Sequence, residues 1–239
     1  ERGAGERMNV VETLRAAAPW QRIRRAERGR DGAGSERARV EVRAEDFRIT
    51  RYKQRSETTT IFVVDASGSA ALHRLAEAKG AVELLLADCY VRRDRVALIA
   101  FRGREAELLL PPTRSLVRAK RSLAGLPGGG GTPLAAGLDA ALALADAVQR
   151  RGGTPVLILL TDGRANIARD GSGGRARAEE DALASARLVR VAELTALLVD
   201  TSPRPQERAS RLAQEMGATY LPLPHADASI LSRAVQAAD

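Results

Sequence analysis

Ile61-Phe62-Val63-Val64-Asp65-Ala66-Ser67-Gly68-Ser69 is the stretch on which the fold turns. Its apolar start is short, unbroken and rich in β-branched residues, the mark of a strand buried on both faces. The run then ends abruptly in a carboxylate and two spaced serines. In open sheets covered on both sides, ligands gather beyond the carboxyl ends of the strands. Asp65, Ser67 and Ser69 therefore stand where chemistry is expected.

The same texture repeats downstream. Val96-Ala97-Leu98-Ile99-Ala100-Phe101 and Val156-Leu157-Ile158-Leu159-Leu160 are further buried runs, and residues 194–199 and 219–223 read as later strands. Between the first two, Leu72, Leu75, Lys79, Val82, Leu86 and Cys89 fall at helical spacing and predict a helix over 71–90. Further helices are expected at 115–126, 134–149, 178–191, 205–216 and 227–237. Gly217 stops the fifth of these six, and Arg150-Arg151-Gly152-Gly153 closes the 134–149 helix, with cations near the negative end of its dipole. Residues 105–110 form an expected edge strand, reached by the tight Arg102-Gly103-Arg104 turn and stopped by Pro111-Pro112. So short a connection requires antiparallel pairing. Strands alternating with helices give an α/β fold: a doubly wound, mostly parallel sheet with one antiparallel edge strand, occupying 59–239.

Residues 1–58 have a different texture and are expected to form a basic N-terminal extension. A short helix over 10–18 would take Asn9 as its N-cap and end at Pro19. A flexible loop is expected at 29–36. Period-two alternation in 39–43 and 47–50, around 44–46, predicts a small β-hairpin or a strand pair added to a sheet edge.

The composition narrows the function. The 239 residues are 44% hydrophobic and 28% charged, suited to one main domain with an appendage. A single cysteine excludes a disulfide scaffold and a thiolate zinc site, and fits an intracellular, reducing location, read as cytoplasmic. No apolar run approaches the roughly 20 residues of a membrane helix, and no signal peptide opens the chain. Without an initiator Met, the sequence reads as a fragment or a processed piece. Net charge is +8, with 15 basic and 10 acidic residues in 1–58 against 23 and 20 in 59–239. Phosphate attraction is one reading of the basic bias. However, Glu27, Asp31, Glu36, Glu41 and Glu45 interrupt its clusters, and aromatics make up only 3% of the chain. Nucleic acid is not the expected partner.

At the strand ends, Asp65, Ser67 and Ser69 are joined by Thr132, delivered by the Gly128–Gly131 loop, and by Asp162 of Thr161-Asp162-Gly163. All five side chains offer hard oxygen and none offers imidazole or thiolate, which suits Mg²⁺ or Mn²⁺ and not Zn²⁺ or Cu. If the hydroxyls bind directly, the two aspartates act through water, and the cation keeps charge with which to attract a carboxylate from another protein. Turn chemistry competes with this reading, since Ser69 also suits a helix cap and Asp162-Gly163 alone is an ordinary turn pair. The glycine loop lacks the Gly-Lys-Ser/Thr of a phosphate loop. Ser67 is not in a nucleophile elbow, and His73 and His225 read as surface residues.

The set Asp65, Ser67, Ser69, Thr132 and Asp162 resembles the metal-ion-dependent adhesion site of von Willebrand factor A or integrin-I-like domains, over about residues 59–239. A narrower likeness lies in Val63–Ala71, Arg95–Gly103, Leu109–Ser115, Gly129–Leu134 and Thr161–Asn166, with Thr13–Gln21 upstream. These segments are similar to the C-terminal domain of the magnesium chelatase D-subunit family. The sequence departs from that pattern at Ala70-Ala71, where Met is frequent, at Ala100, where Pro often stands, and at Gly128, often Cys. None of these is a proposed ligand.

The resemblance implies a metal-dependent protein-interaction module, not itself catalytic, in an enzyme that uses ATP to insert Mg²⁺ into protoporphyrin IX for (bacterio)chlorophyll synthesis. Its implied partners are the AAA+ ATPase I subunit and the porphyrin-binding H subunit. ATP would enter only through the AAA+ partner or an upstream domain that this sequence does not contain. A cobaltochelatase-like or other AAA+-associated complex is the alternative within the same class. A metal-dependent hydrolase is the alternative outside it, and the motif supplies no His or Glu as its base.

Overall fold

The apolar runs become strands, and their alternate residues part to the two faces of one sheet. The computed structural model describes residues 6–30, 40–51, 57–67, 86–87, 89–126 and 128–222. Most of the helix expected at 71–90, the helix expected at 227–237, and Ser69, His73 and His225 lie outside the described residues. The chain divides into two units, Glu1–Arg55 and Ser56–Asp239.

In the larger unit, strands β3 (Thr58–Asp65), β4 (Arg95–Arg102), β5 (Glu105–Thr113), β6 (Thr154–Thr161), β7 (Thr195–Asp200) and β8 (Thr219–Pro222) form a six-stranded sheet. Their order is β5-β4-β3-β6-β7-β8. Every pairing is parallel except β4 with β5. Ile61, Val63, Ile99, Phe101, Leu157, Leu159 and Leu198 face one core, against helices α4 (Leu134–Arg150), α5 (Arg175–Val191) and α6 (Glu207–Met216). Phe62, Val64, Leu98, Ala100, Ile158, Leu160 and Val199 face the other, with Leu86, Cys89 and helix α3 (Leu116–Ala124). Two covered faces explain why these strands read as continuous apolar runs. Cys89 is buried with its sulfur 3.5 Å from Thr60 Oγ1, and burial pushes its thiol pKa up.

One expectation fails at the sheet edge. Pro111-Pro112 does not stop β5, which runs on to Thr113 and pairs there with Val96. Proline lacks an N–H, but β5 has a neighbour on one side only. The β4–β5 register also shifts between Val96 and Leu98, opposite the prolines. An edge strand with a bulge is the setting that tolerates proline.

The smaller unit corrects the expected hairpin. Residues 40–43 are not a strand, and Ala44–Asp46 forms a 3₁₀ turn. Strand β2 (Ile49–Arg51) pairs instead with β1 (Glu6–Met8), antiparallel. Asn9 caps α1 (Val10–Ala17) as expected, its Oδ1 accepting the Glu12 N–H at 3.0 Å. Pro19 sits in a 3₁₀ turn, and a second helix, α2 (Gln21–Arg30), follows it. Arg24, within the most basic stretch, is 3% exposed and ion-paired with the buried Asp46. It also donates to the Glu41 carbonyl at 2.9 Å. The 3₁₀ turn presents Asp46 to Arg24, and a buried charge must be paired in this way. That requirement overrides the alternation that suggested a hairpin.

Candidate functional site

The sheet order reverses between β3 and β6. From β3 the chain moves outward to β4 and β5, then returns to β6 on the other side of β3. At such a switch point the loops after the two strands diverge and leave a cleft. Here a cleft of about 440 Å³ opens, and Ser67, Thr132 and Asp162 line it.

Asp65 ends β3 and is 5% exposed. Its Oδ1 accepts the Ser67 N–H at 2.9 Å and the Ser67 hydroxyl at 2.6 Å. The Thr132 hydroxyl donates in turn to Ser67 Oγ at 2.7 Å. A chain of hydroxyls thus runs from Thr132 through Ser67 to the carboxylate. Behind it, Thr161 Oγ1 donates to Asp65 Oδ2 at 3.3 Å and accepts the Gly163 N–H at 3.1 Å. Asp162 is 4% exposed, and its Oδ1 accepts the Arg164 N–H at 3.0 Å. Burial lifts the Asp65 carboxyl pKa from its ordinary range to about 6; the Ser67 hydrogen bonds oppose the rise, and the nearby Asp162 carboxylate adds to it.

The loops are held by backbone packing. Gly129 N–H donates to the Ala66 carbonyl at 3.1 Å, tying the glycine loop to the end of β3. A Cβ on Gly131 would fall 2.5 Å from Ile167 Cγ1 and 2.8 Å from the Gly103 carbonyl oxygen, so only glycine fits there. Asn166 Oδ1 accepts the Thr132 N–H at 2.6 Å, while the Thr132 carbonyl accepts the Asn166 N–H at 3.2 Å. The loop after β6 is pinned at Arg169. Its guanidinium reaches Asp139 of α4 at 2.8 and 3.1 Å and Ser185 of α5 at 2.6 Å, and its N–H reaches Asp181 at 2.8 Å.

Four of the five expected residues, Asp65, Ser67, Thr132 and Asp162, are therefore brought to one place, and Ser69 lies outside the described residues. Sequence reading assigned no part to Thr161 and Asn166, which hold Asp65 and Thr132 in place. Glu179, Arg175 and Arg208 line the cleft from the starts of α5 and α6, and no local motif marks them. The motif itself holds no His or Glu, but the cleft does include a glutamate.

Among the described residues no group of three or more His, Cys, Asp or Glu side chains forms a metal cage. A cation here would rely on the Ser67 and Thr132 hydroxyls beside two carboxylates. That donor set fits a hard divalent ion: it is all oxygen, and its two buried carboxylates repel one another.

A model of the von Willebrand factor type A domain matches residues 60–164. The magnesium-chelatase 60 kDa subunit of Cereibacter sphaeroides is 56% identical over 236 residues, 99% of this chain and 41% of the relative. That of Rhodobacter capsulatus is 49% identical over 97% of this chain and 41% of the relative. The 67 kDa subunit of Chlorobaculum tepidum is 42% identical over 92% of this chain and 37% of the relative. The chain thus spans about two fifths of the length of the curated relatives it matches. Among solved structures, the vWF domain of the type V pili tip protein Mfa5 from Porphyromonas gingivalis superposes with a TM-score of 0.59. It is 12% identical, over 76% of this chain and 95% of that one. BatB from Bacteroides thetaiotaomicron superposes at 0.56, is 17% identical, and is covered over 98% of its length by 76% of this chain. At such identities these two show the fold alone. No described helix is long and apolar enough to cross a membrane. Residues 60–164 thus match the von Willebrand factor type A domain, and nearly the whole chain is similar to a part of the magnesium-chelatase 60 and 67 kDa subunits.

Proposed function

We propose that this chain is the metal-dependent protein-interaction domain of a magnesium chelatase D subunit. It would couple the AAA+ ATPase I subunit to the porphyrin-binding H subunit during Mg²⁺ insertion into protoporphyrin IX. Asp65, Ser67, Ser69, Thr132 and Asp162 hold a Mg²⁺ or Mn²⁺ ion. The bound ion supplies a Lewis-acidic point at which an acidic side chain of a partner can dock. It is resident in the domain and distinct from the magnesium delivered to the porphyrin.

The observation that carries the reading is the hydroxyl chain Thr132–Ser67–Asp65 beside the Asp162 carboxylate, at the mouth of one cleft. Asp65 holds Ser67 by accepting both its N–H and its hydroxyl, and Ser67 in turn accepts the Thr132 hydroxyl. Asn166 and the glycine loop fix Thr132 before any ligand arrives, so little ordering cost remains on binding. Likeness to the magnesium-chelatase subunits over nearly the whole chain supports the choice of complex.

The test is a pull-down of the I and H subunits by this chain in magnesium, in EDTA, and with Asp65→Ala and Ser67→Ala. Binding should be lost on chelation and in both variants while circular dichroism stays unchanged. Retained binding in EDTA with an intact fold would refute docking through a metal.

A further inference from the structure

We infer that the cleft selects a polyacidic peptide segment of a partner protein. One carboxylate meets the Asp65–Ser67–Thr132–Asp162 centre, and carboxylates neighbouring it in sequence meet Arg175 and Arg208. The first contact rests on the proposed metal-held centre; the arginine wall is a separate feature that decides which acidic surface fits.

Arg164, Arg175 and Arg208 line the same cleft as Ser67, Thr132 and Asp162, and all three are exposed. Arg164 is already engaged with Asp162, Nε to Oδ2 at 3.6 Å. Among the described residues, the side chains of Arg175 and Arg208 have no ion pair or hydrogen bond. Nearby, Arg169 pairs with Asp139, Arg177 with Asp170, and Arg187 with Glu215. Arg190 and Arg211 on the same two helices are also unmatched, but Arg175 and Arg208 are the ones that line the candidate cleft.

The placement of Arg175 is disfavoured unless an anion arrives. Arg175 is the first residue of α5, whose first turn holds no acidic side chain. A cation at the positive end of a helix dipole is disfavoured, and an anion beside it reverses the sign. Arg208 stands on a fixed base. The fully buried Asp200 accepts the Ser202 N–H at 2.8 Å, the Gln206 N–H at 3.2 Å and the Tyr220 hydroxyl at 2.6 Å, setting the approach to α6.

Peptide carboxylates suit this wall better than a nucleic acid does. Guanidinium matches a carboxylate with two parallel hydrogen bonds. Among the described residues no aromatic side chain lines the cleft for base stacking. Asp162 and Glu179 would repel a continuous phosphodiester, whereas spaced carboxylates on a peptide can avoid them.

The experiment is fluorescence anisotropy of two labelled peptides in magnesium, hexaaspartate and a Gly/Ser peptide of equal length with one Asp. Hexaaspartate should bind more tightly. Arg175→Glu with Arg208→Glu should weaken it about tenfold and flatten its salt dependence, leaving the single-Asp peptide unchanged. The charge-matched control on α3, Arg118→Glu with Arg121→Glu, should change neither. An undiminished hexaaspartate affinity in the Arg175/Arg208 variant, or an equal loss in the control, overturns the wall. An oligothymidylate that competes as well as hexaaspartate overturns the peptide as its ligand. Asp65→Ala and EDTA separate the two claims. If hexaaspartate binding survives both yet falls on arginine reversal, the metal-held centre and the first contact fail, and the wall alone stands.

Discussion

Gly163→Ala tests how closely α6 is packed against the loop that carries Asp162. Gly163 has φ of 74°, and a Cβ there would fall 2.8 Å from both the Ala209 N and Cα and 3.1 Å from the Arg208 carbonyl carbon. Those are backbone atoms and cannot swing aside. Two costs follow: left-handed backbone strain of about 1–2 kcal/mol for a residue with a Cβ, and overpacking of about 1–3 kcal/mol. Gly152→Ala separates them. Gly152 has φ of 79° with nothing within 4 Å of its Cβ position, so it incurs only the strain. Urea denaturation in EDTA should show Gly163→Ala losing about 2–5 kcal/mol and Gly152→Ala about 1–2 kcal/mol. The difference measures the work of pushing α6 away. Because Arg208 lies beside the clash, Gly163→Ala should also weaken hexaaspartate binding, and Gly152→Ala should not. If the two variants lose equal stability, α6 is not seated on the β6 loop and the placement of Arg208 is wrong.

Three further perturbations address the supports of the cleft and the smaller unit. Asn166→Ala leaves the buried Thr132 N–H without its acceptor, at a cost of about 1 kcal/mol, and magnesium should then raise Tm less than in the parent chain. Arg169→Ala removes the link from the post-β6 loop to Asp139 and Ser185; hydrogen exchange should quicken across 166–174 while β6 stays protected, and unchanged loop exchange would count against the clamp. The Asp46 carboxyl is held below its usual range, first by the Arg24 hydrogen bond and then by the Arg43 N–H. Its stabilisation is therefore full above the unfolded carboxyl pKa, about 3.9, and is lost as pH falls through the depressed folded value. The single tryptophan, Trp20, shares a cleft with Arg24 and Asp46 and can report an acid transition of this unit; in Asp46→Asn that acid limb should flatten.

Much of the larger unit was legible because its cause is local. A strand covered on both faces must be apolar along its buried length, so 61–64, 96–101 and 156–160 announce themselves. The two-residue turn at Gly103-Arg104 likewise dictates an antiparallel neighbour. Reading failed where a distant partner decided the outcome. Pro111-Pro112 breaks a central strand but not an edge strand with a bulge, and edge position is a property of sheet order. The alternation in 39–50 suited a hairpin, yet Asp46 is turned to pair with Arg24, and Ile49–Arg51 finds Glu6–Met8.

The candidate site divides along the same line. Asp65, Ser67, Thr132 and Asp162, which the fold brings together, stand out in the sequence because each lies at a strand end or after a glycine loop, where side-chain oxygens have no secondary-structure duty; Ser69, picked out with them, lies outside the described residues. Thr161 and Asn166 look like ordinary strand and loop residues until their hydrogen bonds to Asp65 and Thr132 are seen. Arg175 and Arg208 are two among 35 arginines, and nothing in the sequence distinguishes them. Sequence alone determined the buried strands and the oxygen-bearing side chains at their ends, since both follow from a residue and its immediate neighbours. Tertiary structure decided which charges surround those donors, because only the reversal of sheet order between β3 and β6 brings the starts of α5 and α6 to one cleft.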